Sequence, residues 1–309
     1  MDHRNVLKMI DYDRMVFKTG RKEYPLQDKN LPTVDPTDPL KLRKDEEELM
    51  KVIKASFMHS EPLHRHVSFL YSHGGTYKRF NNNLMFHGCI PMTEEGEFDG
   101  PEIEGRKYTG KALMDYIGIQ TTRAYYFRDN STQSHNAVDF MWYLWCGPKS
   151  PMFGKSKMAT FENYFLKDKE VCREVYNPYY RLSEDEAVCD RIFREFGMDP
   201  EVSHIINGHV PVKIKDGETP VKAGGKLFVI DGGISRAYHH KTGIAGYTLI
   251  FDSHHLALAE HHSFEQIEND MGSYTPRLQV VKVMPRRLLT SDTDEGNQLR
   301  EKIDDLKKL

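Results

Sequence analysis

The sequence predicts a mixed α/β fold (α+β), and three observations lead to this prediction. The C-terminal part, over 204–284, contains consecutive apolar runs of strand length. Segments before it, over 38–72 and 183–197, carry apolar residues at helical spacing and end at glycines. The chain of 309 residues, 39% hydrophobic and 29% charged, is long enough to bury a large core.

The first third of the chain contains extended segments followed by two helices. Residues 5–35 are turn-rich, and a hairpin turn is predicted at Thr19-Gly20. Helices are predicted over 38–58 and 61–72. Both carry apolar residues at helical spacing, namely Leu49, Val52, Ile53 and Phe57 in the first and Leu63, Val67 and Leu70 in the second.

The middle of the chain contains one predicted strand, one predicted helix and two segments whose pattern allows two interpretations. A strand leads to His87, and the charged stretch 94–136 contains one predicted helix near 110–118. The aromatic-rich segment from Val138 to Trp145 fits a buried helix and a strand equally well. The Gly-Pro-Lys-Ser-Pro segment after Cys146 is either a rigid loop or a substrate-facing loop. In the second case Lys149 or Lys155 meets an anionic ligand.

The pattern of the C-terminal half predicts one helix, several strands and a final helix. Ser183 and Glu186 form a capping-box pattern at the start of a helix that Gly197 closes. One strand then leads to His209 and another to Asp231. The remaining predicted elements are strands over 246–251, 255–260 and 278–284, and an amphipathic helix with Leu299, Ile303 and Leu306.

Composition and charge exclude several classes of protein. A net charge of −3 and a pI of about 6.6 give no electrostatic footprint for nucleic acid. The sequence contains no run of 18 apolar residues, the length needed to span a membrane, and no apolar signal segment follows Met1. The cysteines form no CxxC pair, so we expect reduced thiols. They are Cys89, Cys146, Cys172 and Cys189.

Two segments join a short apolar run to a histidine beside a glycine. They are NLMFHGC over 83–89 and HIINGHVP over 204–211. A buried strand that ends at such a pair delivers an imidazole to the rim of the sheet. Because neutral imidazole is the commonest metal ligand, His87 and His209 are candidates for one shared metal. Their ring nitrogens should then lie within roughly 3–4.5 Å of each other around a bound ion, and somewhat further apart in an empty site.

Other interpretations of these residues stay open. The chain has 15 histidines, so a surface or structural role competes with the ligand role, and His239-His240 and His261-His262 are expected mainly at the surface. Cys89, two residues after His87, is either half of a catalytic Cys–His pair or a small buried hydrophobe. The glycines after Asp231 form either a tight turn or a backbone cradle for a phosphate. In the cradle, Ser235 and Arg236 add a hydroxyl and a bidentate donor.

Six strings spread over nearly the whole chain resemble one known family. They are KEYPL (22–26), PTVDP (32–36), FHGCIP (86–91), WYLWCGPKSP (142–151), NGHVPVK (207–213) and GKLFVIDGG (225–233). The family is class III (Firmicutes-type) fructose-1,6-bisphosphatase, within the calcineurin-like metallophosphatase superfamily. The resemblance implies a sandwich of two β-sheets flanked by helices, of which this chain forms the C-terminal portion.

The superfamily has five metal motifs, and this sequence matches the last two, at His87 and His209. We therefore expect residues 1–309 to be the C-terminal half of the catalytic domain, in a truncated or split chain. The family's site holds two Mn²⁺ ions, and one partial site is expected here. Since Mn²⁺ prefers oxygen ligands, a missing N-terminal half or a complementary chain has to complete it. The chain alone should be inactive.

The implied activity is that of a phosphoric monoester hydrolase. It hydrolyses fructose 1,6-bisphosphate in gluconeogenesis, a part of carbohydrate metabolism, by metal-assisted chemistry. A cytoplasmic homo-oligomer is expected. No catalytic residue is assigned, and the candidates for gripping the sugar phosphate are Lys213, Arg236, Ser235 and Lys149.

Two alternatives to this activity remain: a non-catalytic regulatory or interaction subunit, and a phosphatase of different sugar-phosphate specificity. An incomplete fold should also expose apolar strand residues, unless those strands pack on the chain's own helices at 38–72 and 183–196 and form a self-sufficient domain. The strand residues are Leu84, Phe86, Ile205, Phe228 and Ile230.

Overall fold

A computed structural model describes residues 1, 4–127, 129, 131–233, 246–261 and 275–308, the side chain of Lys215 excepted. It confirms the mixed α/β class and divides the chain into two compact units. The first comprises Met1–Gly75 and Gly118–Tyr176, and the second Thr76–Ile117 and Asn177–Leu309. The assignment of 1–309 to a single catalytic half-domain stays a prediction. None of the described helices has the length and apolar character needed to cross a bilayer.

The α-helices of the described residues differ in places from the predicted ones. They are α1 Lys44–Met58, α2 Glu61–His73, α3 Gly110–Tyr126, α4 Thr132–Cys146, α5 Thr160–Phe165, α6 Lys169–Cys172, α7 Tyr179–Leu182, α8 Glu186–Glu195 and α9 Asp294–Lys308. The segment from Val138 to Trp145, which the sequence left undecided, lies in α4. The helix expected near 110–118 continues to Tyr126.

Two predicted helix starts were wrong. The helix expected over 38–58 begins only at Lys44, because prolines 36 and 39 and a turn precede it. In that turn the Asp35 carboxylate accepts a hydrogen bond from the Thr37 backbone N–H at 2.9 Å. The cap of α8 is Asp185 rather than Ser183, since the Asp185 carboxylate accepts from the Ala187 N–H at 2.8 Å.

The first unit contains a three-stranded antiparallel sheet of β1 (Ile10–Asp11), β2 (Val16–Thr19) and β3 (Lys22–Pro25). The hairpin turn predicted at Thr19-Gly20 is confirmed, and Gly20 has a φ of +60°. Behind the sheet the buried ring of Phe17 packs against Phe161 at a centroid distance of 5.5 Å. This sheet and the short helix α5 therefore share one small core.

The second unit is built on a five-stranded sheet. Its strands are β4 Tyr77–Phe80, β5 Asn83–Phe86, β8 His204–Asn207, β9 Val221–Lys222 and β10 Leu227–Val229. Their order across the sheet is β4-β5-β8-β10-β9. A short hairpin of β6 (Glu102–Ile103) and β7 (Arg106–Lys107) lies apart from it. The central strands β5, β8 and β10 are parallel, so their C-terminal ends lie at the same edge.

A second, antiparallel sheet packs against the central one. It consists of β11 Gly246–Phe251, β12 His255–His261 and β13 Arg277–Val283. Side chains of both sheets share one cluster, with Ile206 and Phe228 from the first and Tyr247, Leu256 and Leu258 from the second. This packing confirms the predicted two-sheet layering within the described residues.

The expectation that the strands expose apolar surface was wrong. Leu84, Ile205 and Phe228 are fully buried, Phe86 is 6% exposed and Ile230 is half-buried. The cover on one side comes from helical residues, since Phe86 packs against Tyr179 at 6.0 Å between ring centroids. On the other side it comes from the second sheet. Strands covered on both faces read as continuous apolar runs, as these do.

Candidate metal site at the rim of the central sheet

Three parallel strands deliver polar side chains to one edge of the central sheet. His87 follows the last residue of β5, and His209 and Asp231 each lie two residues beyond the ends of β8 and β10. Because the three strands are hydrogen-bonded in parallel, these ends are neighbours in space. The common rim predicted from the sequence is confirmed.

The two imidazoles face each other across this rim. Nδ1 of His209 lies 3.1 Å from Nε2 of His87, and the ring planes are inclined by 81°. The predicted approach of these rings is therefore confirmed. The distance suits a hydrogen bond between neutral rings. It also suits two ligands of one ion, because nitrogens about 2.1 Å from a metal lie roughly 3 Å apart at a right angle. Their role as metal ligands stays a prediction.

The backbone at His209 adopts a strained conformation beside the paired rings. His209 has a φ of +70°, in the left-handed region that residues other than glycine rarely enter. Such conformations persist only where the surroundings hold them, and they cluster at functional sites. Here the N–H of Gly208 donates to the carbonyl of His87 at 3.0 Å, which joins the two loops directly.

A buried amide braces the same two loops. Nδ2 of Asn207 donates to the carbonyl of Gly88 at 3.2 Å and to the hydroxyl of Tyr179 at 2.8 Å. Asn207 is 5% exposed and Tyr179 is fully buried. No motif in the sequence marks Asn207 as a functional residue. Its signal was a polar residue at the end of a short buried strand.

Asp231 closes a turn at the end of β10. Its carboxylate accepts from the N–H of Gly233 at 2.9 Å, and its carbonyl accepts from the N–H of Val212 at 2.8 Å. One N–H of the expected phosphate cradle is thus already used, which favours the tight-turn interpretation. Ser235 and Arg236, the other members of that cradle, lie outside the described residues.

The donor set fits part of a metal site. Within the described residues no group of three or more His, Cys, Asp or Glu side chains is arranged to hold an ion. Two imidazoles suit zinc, nickel or copper, whereas Mn²⁺ and Mg²⁺ prefer oxygen ligands. The rim therefore offers two nitrogen ligands, and a hard ion needs further oxygen ligands.

The alternative of a catalytic Cys–His pair is contradicted by the burial of Cys89. The thiol is fully buried, and this burial raises its pKa to about 12. A reactive cysteine needs an accessible thiolate. Cys89 is a small core residue beneath the rim.

The lysines proposed as substrate ligands have different settings. Lys213 is exposed and lies four residues after His209. Its backbone N–H donates to the carboxylate of Glu218 at 2.9 Å. Lys149 is exposed in a loop of the first unit, with a φ of +62°. Lys155 is held by an ion pair with Glu174 at 2.7 Å, so its role there is structural. The substrate roles of Lys213 and Lys149 stay predictions.

The four histidines expected mainly at the surface are described only in part. His261 is half-buried at the end of β12, with its Nε2 2.8 Å from the hydroxyl of Thr248. The other three, His239, His240 and His262, lie outside the described residues.

Comparison with known proteins identifies relatives along the whole chain. Residues 1–309 match the family described as Firmicute fructose-1,6-bisphosphatase. A protein named fructose-1,6-bisphosphatase class 3 from Finegoldia magna is 50% identical over 307 residues, which are 99% of this chain and 47% of that protein. Its namesake from Fusobacterium nucleatum is 48% identical over 100% of this chain and 48% of its own length. The chain thus spans about half the length of these relatives. No solved structure matches it.

Proposed function

Because this chain belongs to the Firmicute fructose-1,6-bisphosphatase family, we propose that it contributes His87 and His209 to the metal site of such an enzyme. The proposed reaction is hydrolysis of fructose 1,6-bisphosphate to fructose 6-phosphate and phosphate, in gluconeogenesis. The observation that supports the site is the 3.1 Å approach of two ring nitrogens at the sheet rim. The relatives' names support the hydrolase over a non-catalytic subunit.

The proposed metal is Mn²⁺, held here by two nitrogen atoms. When bound, such an ion neutralises negative charge on a phosphoryl group. The chain's own residues fix where those nitrogens point, through the Gly208 N–H to His87 and the Asn207 amide to Gly88. Support of this kind commonly changes metal affinity by about 10–100-fold.

We propose that oxygen ligands from another segment or another chain complete the site. Two imidazoles alone hold a hard ion poorly, so the partner is expected to contribute carboxylates. We propose that Lys213 of the second unit binds a phosphate of the sugar substrate. Arg236, Ser235 and Lys149 are further proposed contacts. We place the enzyme in the cytoplasm and expect it to be a homo-oligomer.

Zinc titration tests the two-imidazole site directly. Zn²⁺ is the probe because imidazole ligands suit it. Calorimetry on the full chain should detect one zinc site that weakens at least about tenfold in His87→Ala and in His209→Ala. The matched control is His254→Ala/His255→Ala, which removes a histidine pair away from the rim, with His254 exposed, His255 half-buried and the ring centroids 5.8 Å apart.

An activity assay with Mn²⁺ completes the test. With Mn²⁺ the chain alone should hydrolyse no fructose 1,6-bisphosphate, because its described residues offer only part of a ligand set. Unchanged zinc affinity in both single variants refutes the site. Turnover by the chain alone shows instead that the ligand set is complete elsewhere in its sequence.

A further inference from the structure

Helix α1 exposes an apolar stripe that nothing in the described structure covers. None of its 15 residues is buried. Its exposed large hydrophobic residues are Leu49, Met50, Val52, Ile53, Phe57 and Met58. The ten-residue helix α8 of the same chain buries four side chains. Because a helix as short as α1 is marginal in water unless one face is packed, this stripe calls for a partner.

The stripe follows the spacing of a two-helix seam. Met50, Ile53 and Phe57 are separated by three and then four residues, which is the alternation of a and d positions in a heptad. With Met50 and Phe57 at a and Ile53 at d, Glu47 and Lys54 both fall at the e position beside that seam. Residues at e positions pair across the seam and set the partner and its direction.

The charges of α1 complement a second, inverted copy of the same helix. Its first turns carry Asp45, Glu46, Glu47 and Glu48, and its second half carries Lys51 and Lys54 with no acidic residue. A parallel pair places acid beside acid. An antiparallel pair places the acidic end of each helix beside the lysines of the other, and it also opposes the helix dipoles.

We propose that α1 is a dimerisation helix that pairs antiparallel with α1 of a second copy of this chain. In the register that the heptad gives, Met50 packs beside the partner's Ile53, and Ile53 beside the partner's Met50. Glu47 then lies beside the partner's Lys54, and the two-fold axis repeats this ion pair. A self-complementary patch of this kind is what a symmetric dimer requires.

The size of the surface sets the expected affinity. A 15-residue helix is about 22 Å long, so one helix pair buries less than a standard interface of roughly 1,200–2,000 Å². Helix α2 follows two residues later and exposes three more large hydrophobic side chains, Leu63, Phe69 and Leu70. We therefore expect a reversible dimer with a dissociation constant on the order of micromolar.

Sedimentation velocity over a concentration series of the full chain tests the dimer. Ile53→Glu should leave a monomer at every concentration, with the dimer weakened about 100-fold or more. The matched control is Ile303→Glu on α9, since Ile303 is 49% exposed and Ile53 is 41% exposed. It should leave the dimer unchanged. At concentrations where the parent is monomeric, both variants should keep its thermal melt, because neither side chain is buried.

Charge reversal tests the direction of pairing. Lys54→Glu alone and Glu47→Lys alone should each weaken the dimer, because each places like charges across the seam. The double variant Glu47→Lys/Lys54→Glu should restore it. A parent chain that stays monomeric, or a dimer lost in Ile303→Glu but kept in Ile53→Glu, overturns the proposal. Failure of the double variant to recover overturns the antiparallel register.

Discussion

Replacing Asn207 by alanine removes the amide that braces the two histidine loops. The amide donates to the carbonyl of Gly88 at 3.2 Å and to the hydroxyl of Tyr179 at 2.8 Å, in a buried setting. The expected result is a loss of both stability and metal affinity. The two losses have different causes, so they can be measured separately.

The size of the stability loss follows from the hydrogen bonds. Two buried neutral hydrogen bonds contribute about 1 kcal/mol each, and leaving their acceptors unpaired costs up to about 1–3 kcal/mol more. The amide oxygen of Asn207 has no hydrogen-bond partner among the described residues, so removing it relieves part of that cost. The free energy of unfolding should therefore fall by about 2 kcal/mol. Zinc affinity should fall about tenfold, because Gly88 and the His87 ring lose their support.

Asn83→Ala is the matched control. Asn83 is also 5% exposed, lies on the adjacent strand, and donates to the carbonyls of Phe80 and Asn81 at 3.1 and 3.0 Å. Within the described part of the chain its amide oxygen likewise has no partner. It lies at the opposite end of β5 from His87, so its removal should cost similar stability and leave zinc affinity unchanged.

The assay is urea unfolding followed by circular dichroism, together with zinc calorimetry on the same samples. Equal zinc affinity in the parent and in Asn207→Ala, despite a loss of stability, refutes the idea that Asn207 positions the site. An equal loss of zinc affinity in Asn83→Ala refutes it as well, because the effect is then a general loosening of the sheet.

Two further predictions concern titratable groups in the core. Burial and the neighbouring Lys282 lower the pKa of His204 to about 4, so between its ordinary 6.5 and 4 only the unfolded chain takes up the proton. Stability should fall by up to about 3 kcal/mol as the pH drops through that window, and urea unfolding of His204→Asn should show a flatter profile. Burial also raises the pKa of both Cys89 and Cys189 to about 12. Ellman's reagent should therefore label the half-buried Cys172 first and these two only after unfolding, and rapid native labelling of Cys89 would contradict this.

The sequence predicted the elements of the site better than their surroundings. Strand ends at His87 and His209 could be read from apolar runs that stop at a histidine–glycine pair, because such runs mark buried strands. The cover of those strands could not, since it comes from Tyr179 and from β12, which are distant in the sequence. Helical spacing located α1 in the same way, and it gave no sign that its apolar stripe faces solvent. Periodicity identifies an apolar face and leaves its partner open.

The backbone conformation and the side-chain contacts of the site could not be predicted from the pattern of residue types. Glycine before His209 suggested that the turn needs a flexible residue there, yet the left-handed φ falls on His209 itself. Nδ1 of His209 faces Nε2 of His87, and no pattern of residue types records which ring nitrogen meets which. The role of Asn207 is likewise absent from the sequence pattern. Its importance depends on Gly88 and Tyr179 meeting its amide, which is a fact of packing.

The contacts that hold the two imidazoles together do not depend on a metal. The Gly208 N–H reaches the His87 carbonyl and the Asn207 amide reaches the Gly88 carbonyl, all within the second unit. The entropy of ordering these two ligands is therefore already lost when the sheet folds, and an arriving ion meets a formed pair. What remains to be ordered is the set of oxygen ligands. The affinity of a complete site should thus be governed by the group that brings those oxygens to this rim.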